Sequence, residues 1–256
     1  MCIKNIEKTI LFGVSVRGDY HKKNNIDCQD AWEYKRTRDV IIISVSDGAG
    51  SSKKGGIGAK IAVQSAVKIK EKFSDLNCNL QELAKSAAKR ARRTLEKESQ
   101  EHGISCEEFA CTLLVVVIRR DRVSVAHVGD GAVVGELNGK LELISEPEKS
   151  EYINETTFLT CEDWESALRI TEEKEFNSLA IFTDGIQRGV LVKQGENYIP
   201  FEPFFKVLFS YAEKVKDEKK ASEEIEKLLN SEKFLKLSSD DKTLVVVVQR
   251  DLTNES

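Results

Sequence analysis

Acidic side chains stand at the boundaries of four apolar segments of this chain. Asp47, Asp130 and Asp184 follow the runs VIIISVS, VSVAHVG and LAIFT, and Asp240-Asp241 comes shortly before the run TLVVVV. Such β-branched runs predict buried strands, and a rigid sheet holds side chains at strand ends in fixed directions. Because Mg²⁺ and Mn²⁺ prefer oxygen ligands, these aspartates are candidate ligands of two divalent cations. The strand pattern alone does not show that they converge.

Turns are the alternative interpretation of the same aspartates. Gly48, Gly131 and Gly185 each follow one of them, and Asp-Gly after a strand is a strong hairpin signal because Gly tolerates positive φ. Asp130-Gly131 fits this pattern well, since the residues from 132 to 137 predict a returning strand. On this interpretation the chain is an acidic structural domain whose Asp-Gly pairs form only turns.

The apolar runs predict a fold rich in β-structure. Val123 and Val125 alternate with polar neighbours, which predicts a half-buried strand. His127 shares the parity of these valines, so we expect it in the core. A first strand is predicted over residues 9–16, and strands buried on both faces are predicted over residues 40–45, 113–118, 179–182 and 244–248.

Helical periodicity appears in three stretches between the predicted strands. Helices are predicted over residues 56–73 and 80–100, with a stop signal at His102-Gly103, and over residues 203–229 with a break near 217–220. The first two follow one another without an intervening strand. This order favours an α+β or layered sandwich fold over a doubly wound fold. No linker or repeat divides the chain, so residues 1–256 are predicted to form one domain.

Composition excludes several classes of protein. The net charge of −4 argues against binding nucleic acid, which requires a basic face. No apolar run approaches the roughly 20 residues of a membrane-spanning helix, and the N-terminal residues lack the pattern of a signal peptide. The six cysteines form no Cys-x-x-Cys pair, so free thiols are expected. These features predict a cytoplasmic protein that does not associate with membranes.

Six short segments, in order along residues 15–248, resemble the metal-dependent serine/threonine protein phosphatases of type 2C, in particular their bacterial branch. The segments are His21 with Cys28-Gln29-Asp30-Ala31, Asp47-Gly48-Ala49-Gly50-Ser51, Cys111-Thr112-Leu113-Leu114, Val128-Gly129-Asp130-Gly131, Thr183-Asp184-Gly185-Ile186 and Asp240-Asp241-Lys242-Thr243. The resemblance implies a central β-sandwich of two antiparallel sheets flanked by helix pairs, in four layers (α-β-β-α), with a metal centre at one end.

The resemblance also implies roles for the aspartates. Asp47 would bridge two Mn²⁺ or Mg²⁺ ions, and Gly48 would offer its carbonyl oxygen. Asp184 and Asp240 would complete the first ion's site, and Asp130 with Asp184 would hold a weaker third ion. The remaining candidates are Asp30 as a further ligand, and Gln29 and Asp241 as residues that either bind an ion or support its ligands.

Two positions depart from the family pattern. Gln29-Asp30 stands where the family has Glu-Asp, so the second ion has one carboxylate fewer and depends more on Asp30. Asn25 stands where the family has an arginine that binds the substrate phosphate. His21, Arg17, Lys22 and Lys23 are the candidates to replace this arginine. We favour His21, which would also be a catalytic residue; the alternative is a histidine of a surface loop.

The implied activity is hydrolysis of phosphoserine and phosphothreonine in proteins by a metal-activated water, without a phospho-enzyme. No Cys-x5-Arg loop is present, because Cys111 is followed by TLLVV. The partners would be phosphorylated proteins and a cognate serine/threonine kinase. Either His21 or a metal-bound water would protonate the leaving group.

Three further alternatives remain at this stage. Gln29 and the missing arginine motivate an inactive phosphatase-like module that binds phosphorylated partners. A phosphatase that forms an aspartyl-phosphate needs a second acid two residues after Asp47, where Ala49 stands.

The segment from 146 to 171 is either a flap that tunes substrate choice or a variable surface loop around a packed Trp164.

Overall fold

Two antiparallel sheets form the centre of the protein. The computed structural model describes residues 6–68, 79–148 and 156–250. The first sheet contains five strands, numbered in chain order, in the spatial order β1 (Ile10–Val16), β13 (Lys242–Val248), β10 (Ser178–Phe182), β6 (Ala132–Leu137) and β7 (Lys140–Ser145). The C-terminal strand therefore lies between the first strand and β10.

The second sheet is built mainly from the first half of the chain. Its order is β2 (Ala31–Arg36), β3 (Ile41–Ser46), β4 (Leu113–Arg119), β5 (Arg122–Val128) and β8 (Arg169–Ile170), and the short strand β9 (Lys174–Glu175) also pairs with β5. A separate hairpin consists of β11 (Leu191–Gln194) and β12 (Asn197–Pro200).

Helices cover the outer face of each sheet. In chain order they are α1 (Asp19–Asn24), α2 (Gly55–Ala66), α3 (Leu80–His102), α4 (Trp164–Ala167), α5 (Gln187–Val190), α6 (Glu202–Glu213), α7 (Glu218–Leu229) and α8 (Glu232–Leu237). Helices α2 and α3 pack on the second sheet, and α6, α7 and α8 pack on the first.

The core has three apolar layers because both faces of both sheets are covered. Ile41, Ile43, Val245 and Val247 meet between the sheets, whereas neighbours of opposite parity face the helices. This double coverage explains why the strands appear in the sequence as continuous apolar runs. The predicted α-β-β-α sandwich is confirmed.

The predicted elements differ from the structure in several details. Helix α2 ends at Ala66, and the predicted continuation from 69 to 73 lies outside the described residues. Helix α3 extends two residues beyond the prediction, to His102, and is capped by Gly103, whose φ of +63° is the left-handed conformation that glycine adopts without strain. The break in the last helical region lies at residues 214–217, slightly earlier than the predicted 217–220, and the six-residue α8 was not predicted.

Strand β5 is buried on both faces, so the half-buried prediction was wrong. Ser124 is fully buried, and its hydroxyl donates a hydrogen bond to the Thr171 carbonyl oxygen, which compensates its desolvation. The core assignment of His127 is confirmed: the ring is completely buried, and Nδ1 lies 2.8 Å from the Ser145 hydroxyl oxygen.

The hairpin interpretation of Asp130-Gly131 was also wrong. Strand β5 belongs to the second sheet, whereas β6 belongs to the first and pairs with β7 and β10. The segment from 129 to 131 therefore crosses between the sheets instead of turning back within one.

Two further expectations concern cysteines and membranes. Cys28, Cys106, Cys111 and Cys161 are free thiols, whereas Cys2 and Cys78 lie outside the described residues. Within the described part of the chain, no helix combines the length and the apolar character needed to cross a bilayer.

The N-terminus of α7 offers a test of the local helix signals. The Asp217 carboxylate accepts hydrogen bonds from the backbone N–H groups of Lys219 and Lys220, at 3.0 and 3.1 Å. We expect Asp217→Ala to lower the free energy of unfolding by about 1 kcal/mol, because these two donors lose their partner. Urea denaturation measures this change. Asp217→Asn keeps a good cap and is the control; an equal loss in both variants would contradict the capping role.

Candidate active site

Strand pairing brings the predicted site residues to one end of the sandwich. Ala31 pairs with Ser46, and Phe182 pairs with Leu244. These pairs place the start of β2 beside the end of β3, and the end of β10 beside the start of β13. Gln29, Asp30, Asp47, Asp130, Asp184 and Asp240 all lie in the loops at these strand ends.

Asp47 and Asp184 form the centre of the cluster. Their carboxyl groups lie close enough to interact, although one follows a strand of the second sheet and the other a strand of the first. Burial, followed by the charges of neighbouring aspartates, raises the pKa of Asp47 well above its usual range. The same two causes raise the pKa of Asp184 to about 8.

Asp30 is held from the opposite sheet. Its Oδ2 accepts hydrogen bonds from the hydroxyls of Thr183, at 2.8 Å, and Thr243, at 2.7 Å. Burial raises the pKa of Asp30 to about 7, against the opposing effect of these two hydroxyl groups. Thr183 and Thr243 lie in segments that carry the family resemblance, but no role was predicted for them. The one feature of the sequence that could have identified these two threonines is their position next to Asp184 and to the Asp240-Asp241 pair.

Asp130 and Asp240 complete the group. Asp130 Oδ2 accepts a hydrogen bond of 2.8 Å from the Thr156 hydroxyl, and Gln187 Nε2 donates to the Asp130 carbonyl oxygen. Burial raises the pKa of Asp130. Asp240 is exposed, and its Oδ1 accepts a hydrogen bond of 2.8 Å from the Asp241 backbone N–H.

Several oxygen atoms of this group are buried without a hydrogen-bond partner. They are Gln29 Oε1 and the Oδ1 atoms of Asp30, Asp130 and Asp184. An unpaired buried acceptor is costly, and a cation coordinates such oxygens. The donor set therefore fits a hard divalent cation.

The carboxylates are gathered but not arranged as a formed coordination shell. Across the three described ranges, no set of three His, Cys, Asp or Glu side chains is already placed to hold a metal ion.

A cleft of about 280 Å³ opens above the aspartates. The side chains of Asp47, Asp130 and Asp240 and the amide of Gln29 contribute acceptors to its wall. The other lining residues are Tyr20, His21, Gly48, Ala49, Gly50, Ser51, Thr112, Thr156 and Phe158. Tyr20 was not predicted, because it lies outside the strand ends that guided the prediction, whereas Thr156 and Phe158 lie in the segment from 146 to 171 that was considered as a flap.

Asp241 lies behind this wall and is almost completely buried. Its two oxygens accept hydrogen bonds from the backbone N–H groups of Gly18 and Gln29, both at 2.6 Å, and Oδ2 also lies 2.9 Å from His21 Nδ1. The chain is tightly packed here: a Cβ on Gly185 would approach the Asp241 carbonyl oxygen to 1.9 Å, so this position requires glycine.

Of the four candidates for binding the substrate phosphate, His21 lines the cleft and the other three do not. His21 lines the cleft and is 6% exposed, unlike a histidine of a free surface loop. Arg17 Nη1 donates to the Ile26 carbonyl oxygen at 3.4 Å, and Lys22 Nζ donates to Asn230 Oδ1 at 2.9 Å. Neither Arg17 nor the exposed Lys22 and Lys23 contribute to the cleft wall.

Residues 149–155 of the segment from 146 to 171 lie outside the described residues, and the rest of the segment combines features of both predicted alternatives. Trp164 is buried in the core beside α2 and α3. Thr156 and Phe158 line the cleft, and Thr156 contacts Asp130. The segment thus borders the site; a role in substrate choice remains a prediction.

Comparisons with known proteins agree with this architecture. The family model described as Protein phosphatase 2C matches residues 17–230. Serine/threonine-protein phosphatase 3 of Escherichia coli (strain K12) is 32% identical over 244 residues, which cover 91% of this chain and 96% of that protein.

Solved structures share the fold at lower sequence identity. Serine/threonine phosphatase Stp1 from Staphylococcus aureus has a TM-score of 0.64 at 15% identity, with 97% of each chain covered. The catalytic domain of serine threonine protein phosphatase PstP, in complex with 2 manganese ions, has a TM-score of 0.63 at 13% identity, covering 95% of this chain and 99% of that chain.

The raised pKa values predict how the stability of metal-free protein depends on pH. The pKa is about 7 for Asp30 and about 8 for Asp184, against 3.8 for an exposed aspartate. Between about pH 4 and pH 8 the folded state therefore binds more protons than the unfolded state, and stability falls as pH rises.

Thermal unfolding in excess chelator at pH 5, 6, 7 and 8 measures this slope. Asp184→Asn should flatten it, whereas Asp27→Asn, which removes an exposed carboxylate, should leave it unchanged. A melting temperature that rises across this pH range would contradict the buried carboxylate cluster.

Proposed function

Because this chain belongs to the protein phosphatase 2C family, we propose that it hydrolyses phosphoserine and phosphothreonine in proteins, with Mn²⁺ or Mg²⁺ bound at the aspartate cluster. The observation that carries the proposal is the set of unpartnered buried oxygens of Asp30, Asp130 and Asp184 beside the cleft. These atoms need a positively charged partner, and the cleft gives a phosphorylated side chain access to it.

Family membership confirms the predicted enzyme class, a serine/threonine protein phosphatase, which is a hydrolase. It does not favour the alternative of an inactive module that binds phosphorylated partners. The interpretation as turns alone is also not favoured, since Asp130-Gly131 connects two sheets and the three buried aspartates Asp30, Asp47 and Asp184 lie together.

We assign the cations to the chain's own oxygens as follows. Asp47 would be shared by two ions, the Gly48 carbonyl oxygen would be a further ligand, and Asp184 and Asp240 would complete the site of the first ion. Asp30 and Gln29 would serve the second ion, and Asp130 with Asp184 would hold a weaker third. When bound, such ions supply a nucleophilic hydroxide at neutral pH and neutralise charge on the phosphoryl oxygens.

The protein residues position these groups and the substrate. Thr183 and Thr243 hold Asp30 from the other sheet, and Thr156 holds Asp130. A phosphoryl group entering a cleft walled by carboxylates is repelled until positive charge is present, so substrate binding depends on the cations. His21 is the side chain of the wall that meets the phosphoryl or the leaving oxygen.

We propose the cytoplasm as the site of the reaction. Free thiols at Cys28, Cys106, Cys111 and Cys161 suit a reducing compartment. Burial raises the pKa of Cys111 to about 12, so this thiol stays protonated and is unsuited to act as a nucleophile. The substrates are phosphorylated proteins, and a serine/threonine kinase of the same compartment would supply them.

The central carboxylates provide the direct test of this function. We expect Asp47→Asn and Asp184→Ala each to lower Mn²⁺-dependent hydrolysis of a phosphothreonine peptide by at least about 100-fold, because each removes a ligand of the first ion. Phosphate release measures activity, and circular dichroism checks that the fold survives. Asp27→Asn is the matched control. Retention of most activity in both site variants would overturn the assignment.

Gln29 offers a second test, in the direction of gain. Gln29→Glu adds a carboxylate beside an oxygen that is already buried and unpartnered. We expect the half-saturating Mn²⁺ concentration to fall by roughly tenfold, since ligand charge increases the affinity of hard cations. Isothermal titration calorimetry of the purified protein measures this affinity. Unchanged or weaker binding would show that Gln29 is not beside an ion.

A further inference from the structure

We propose that Asp241 is a positioning residue that holds His21 as the proton donor to the departing serine or threonine oxygen. This inference rests on the proposed function and deepens it, because the phosphatase assignment leaves open which group protonates the leaving oxygen. It also gives Asp241 a role other than metal binding.

Both oxygens of Asp241 already have partners within the protein. Gly18 N and Gln29 N donate to its two oxygens at 2.6 Å, and His21 Nδ1 lies 2.9 Å from Oδ2. The carboxylate is 2% exposed, so solvent does not compete for these bonds. A carboxylate held by two backbone N–H groups in this way is suited to orient the neighbouring imidazole ring.

The same contacts determine which ring nitrogen of His21 is available. A carboxylate only accepts hydrogen bonds, so Nδ1 must carry a proton to contact Oδ2. Nε2 is then the one ring nitrogen left to meet a ligand in the cleft that His21 lines. A ring held through Nδ1 in this way directs Nε2 as its remaining polar atom, and an Nε2–H group is a hydrogen-bond donor.

The composition of the cleft wall makes His21 distinctive. Among the described residues of the wall, His21 is the sole side chain able to carry positive charge, whereas Asp47, Asp130 and Asp240 contribute carboxyl groups. The hydroxyls of Tyr20 and Thr156 are far weaker acids than an imidazolium at neutral pH. His21 is thus the group matched to an alkoxide leaving group.

The step conserves atoms and charge. Water adds its oxygen to phosphorus, and the bond between phosphorus and the serine or threonine oxygen breaks with its electron pair on that oxygen. His21 Nε2–H gives its proton to this oxygen, which leaves as the alcohol. The neutral ring then takes up the proton released by the attacking water, and the product is inorganic phosphate.

The test compares two substrates whose leaving groups differ in basicity. With Mn²⁺, we expect His21→Gln to lower kcat on a phosphothreonine peptide by about 100-fold, and on p-nitrophenyl phosphate by less than about threefold, because p-nitrophenolate leaves without a proton. Asp241→Asn should show the same selectivity with a loss of about tenfold. The double variant should equal His21→Gln within about twofold, since Asp241 acts through His21.

Controls separate this effect from a loss of stability. Asp217→Ala removes a helix cap from a folded position outside the cleft, and His102→Gln removes an exposed histidine; neither should change the ratio of the two activities. Multiplicative losses in the double variant, or equal losses on both substrates, would overturn the proposal. Wild-type protein inactive on both substrates would instead overturn the proposed function, and this inference with it.

A measurement independent of turnover tests the geometry directly. Nitrogen-15 NMR of the wild-type histidine rings in metal-free protein should show a protonated, hydrogen-bonded Nδ1 at His21, and Asp241→Asn should remove this signature. If Asp241→Asn does not fold, the proposal is tested by the wild-type spectrum and by the ratio of the two activities of His21→Gln. An unprotonated Nδ1 at His21, or no change in that ratio, would refute the pair.

Discussion

Mutual repulsion among buried carboxylates is the constraint around which this fold is arranged. Asp47 and Asp184 lie close enough to interact while Asp30 and Asp130 lie close by, and burial with neighbouring charge raises the pKa of each. Like charges in a medium of low dielectric separate unless the backbone prevents it. Here the apolar layer between the sheets fixes the strand ends, so the energy of packing holds the aspartates together.

The polar groups around the cluster divide into two kinds. Threonine hydroxyls stabilise individual carboxylate oxygens, as Thr243 does for Asp30 and Thr156 for Asp130. Each leaves the other oxygen of that carboxylate without a partner. Asp241 differs, because a backbone N–H group donates to each of its oxygens. Asp30 and Asp130 thus keep a buried oxygen without a partner, whereas Asp241 is held by the backbone on both sides.

Much of this arrangement could be predicted from the sequence, for identifiable reasons. Asp47 and Asp184 end uninterrupted apolar runs, and such runs form strands in almost any context when both faces are covered. The helix pair between Asp47 and Cys111 has strong periodicity. The sandwich itself and the convergence of the aspartates came from the resemblance, because strand periodicity carries no information on which strands share a sheet.

The errors have the same origin. Asp130-Gly131 appeared to form a hairpin because neighbouring strands usually pair, but β5 and β6 lie in different sheets. The bonds of Thr183 and Thr243 to Asp30 join residues more than 150 positions apart, and a single threonine has no periodic signal. The direction of Arg17 depends on the loop around Ile26, which the sequence does not specify.

The central place of β13 in the first sheet has a consequence for how the protein is made. Until β13 pairs with β1 and β10, those two strands present unsatisfied backbone edges across an open gap. Open edges recruit strands from other molecules, so a partly folded chain lacking its final strand is prone to aggregate. Closure pairs Ile10 with Val248 and Val16 with Lys242, and contacts of such large sequence separation form slowly.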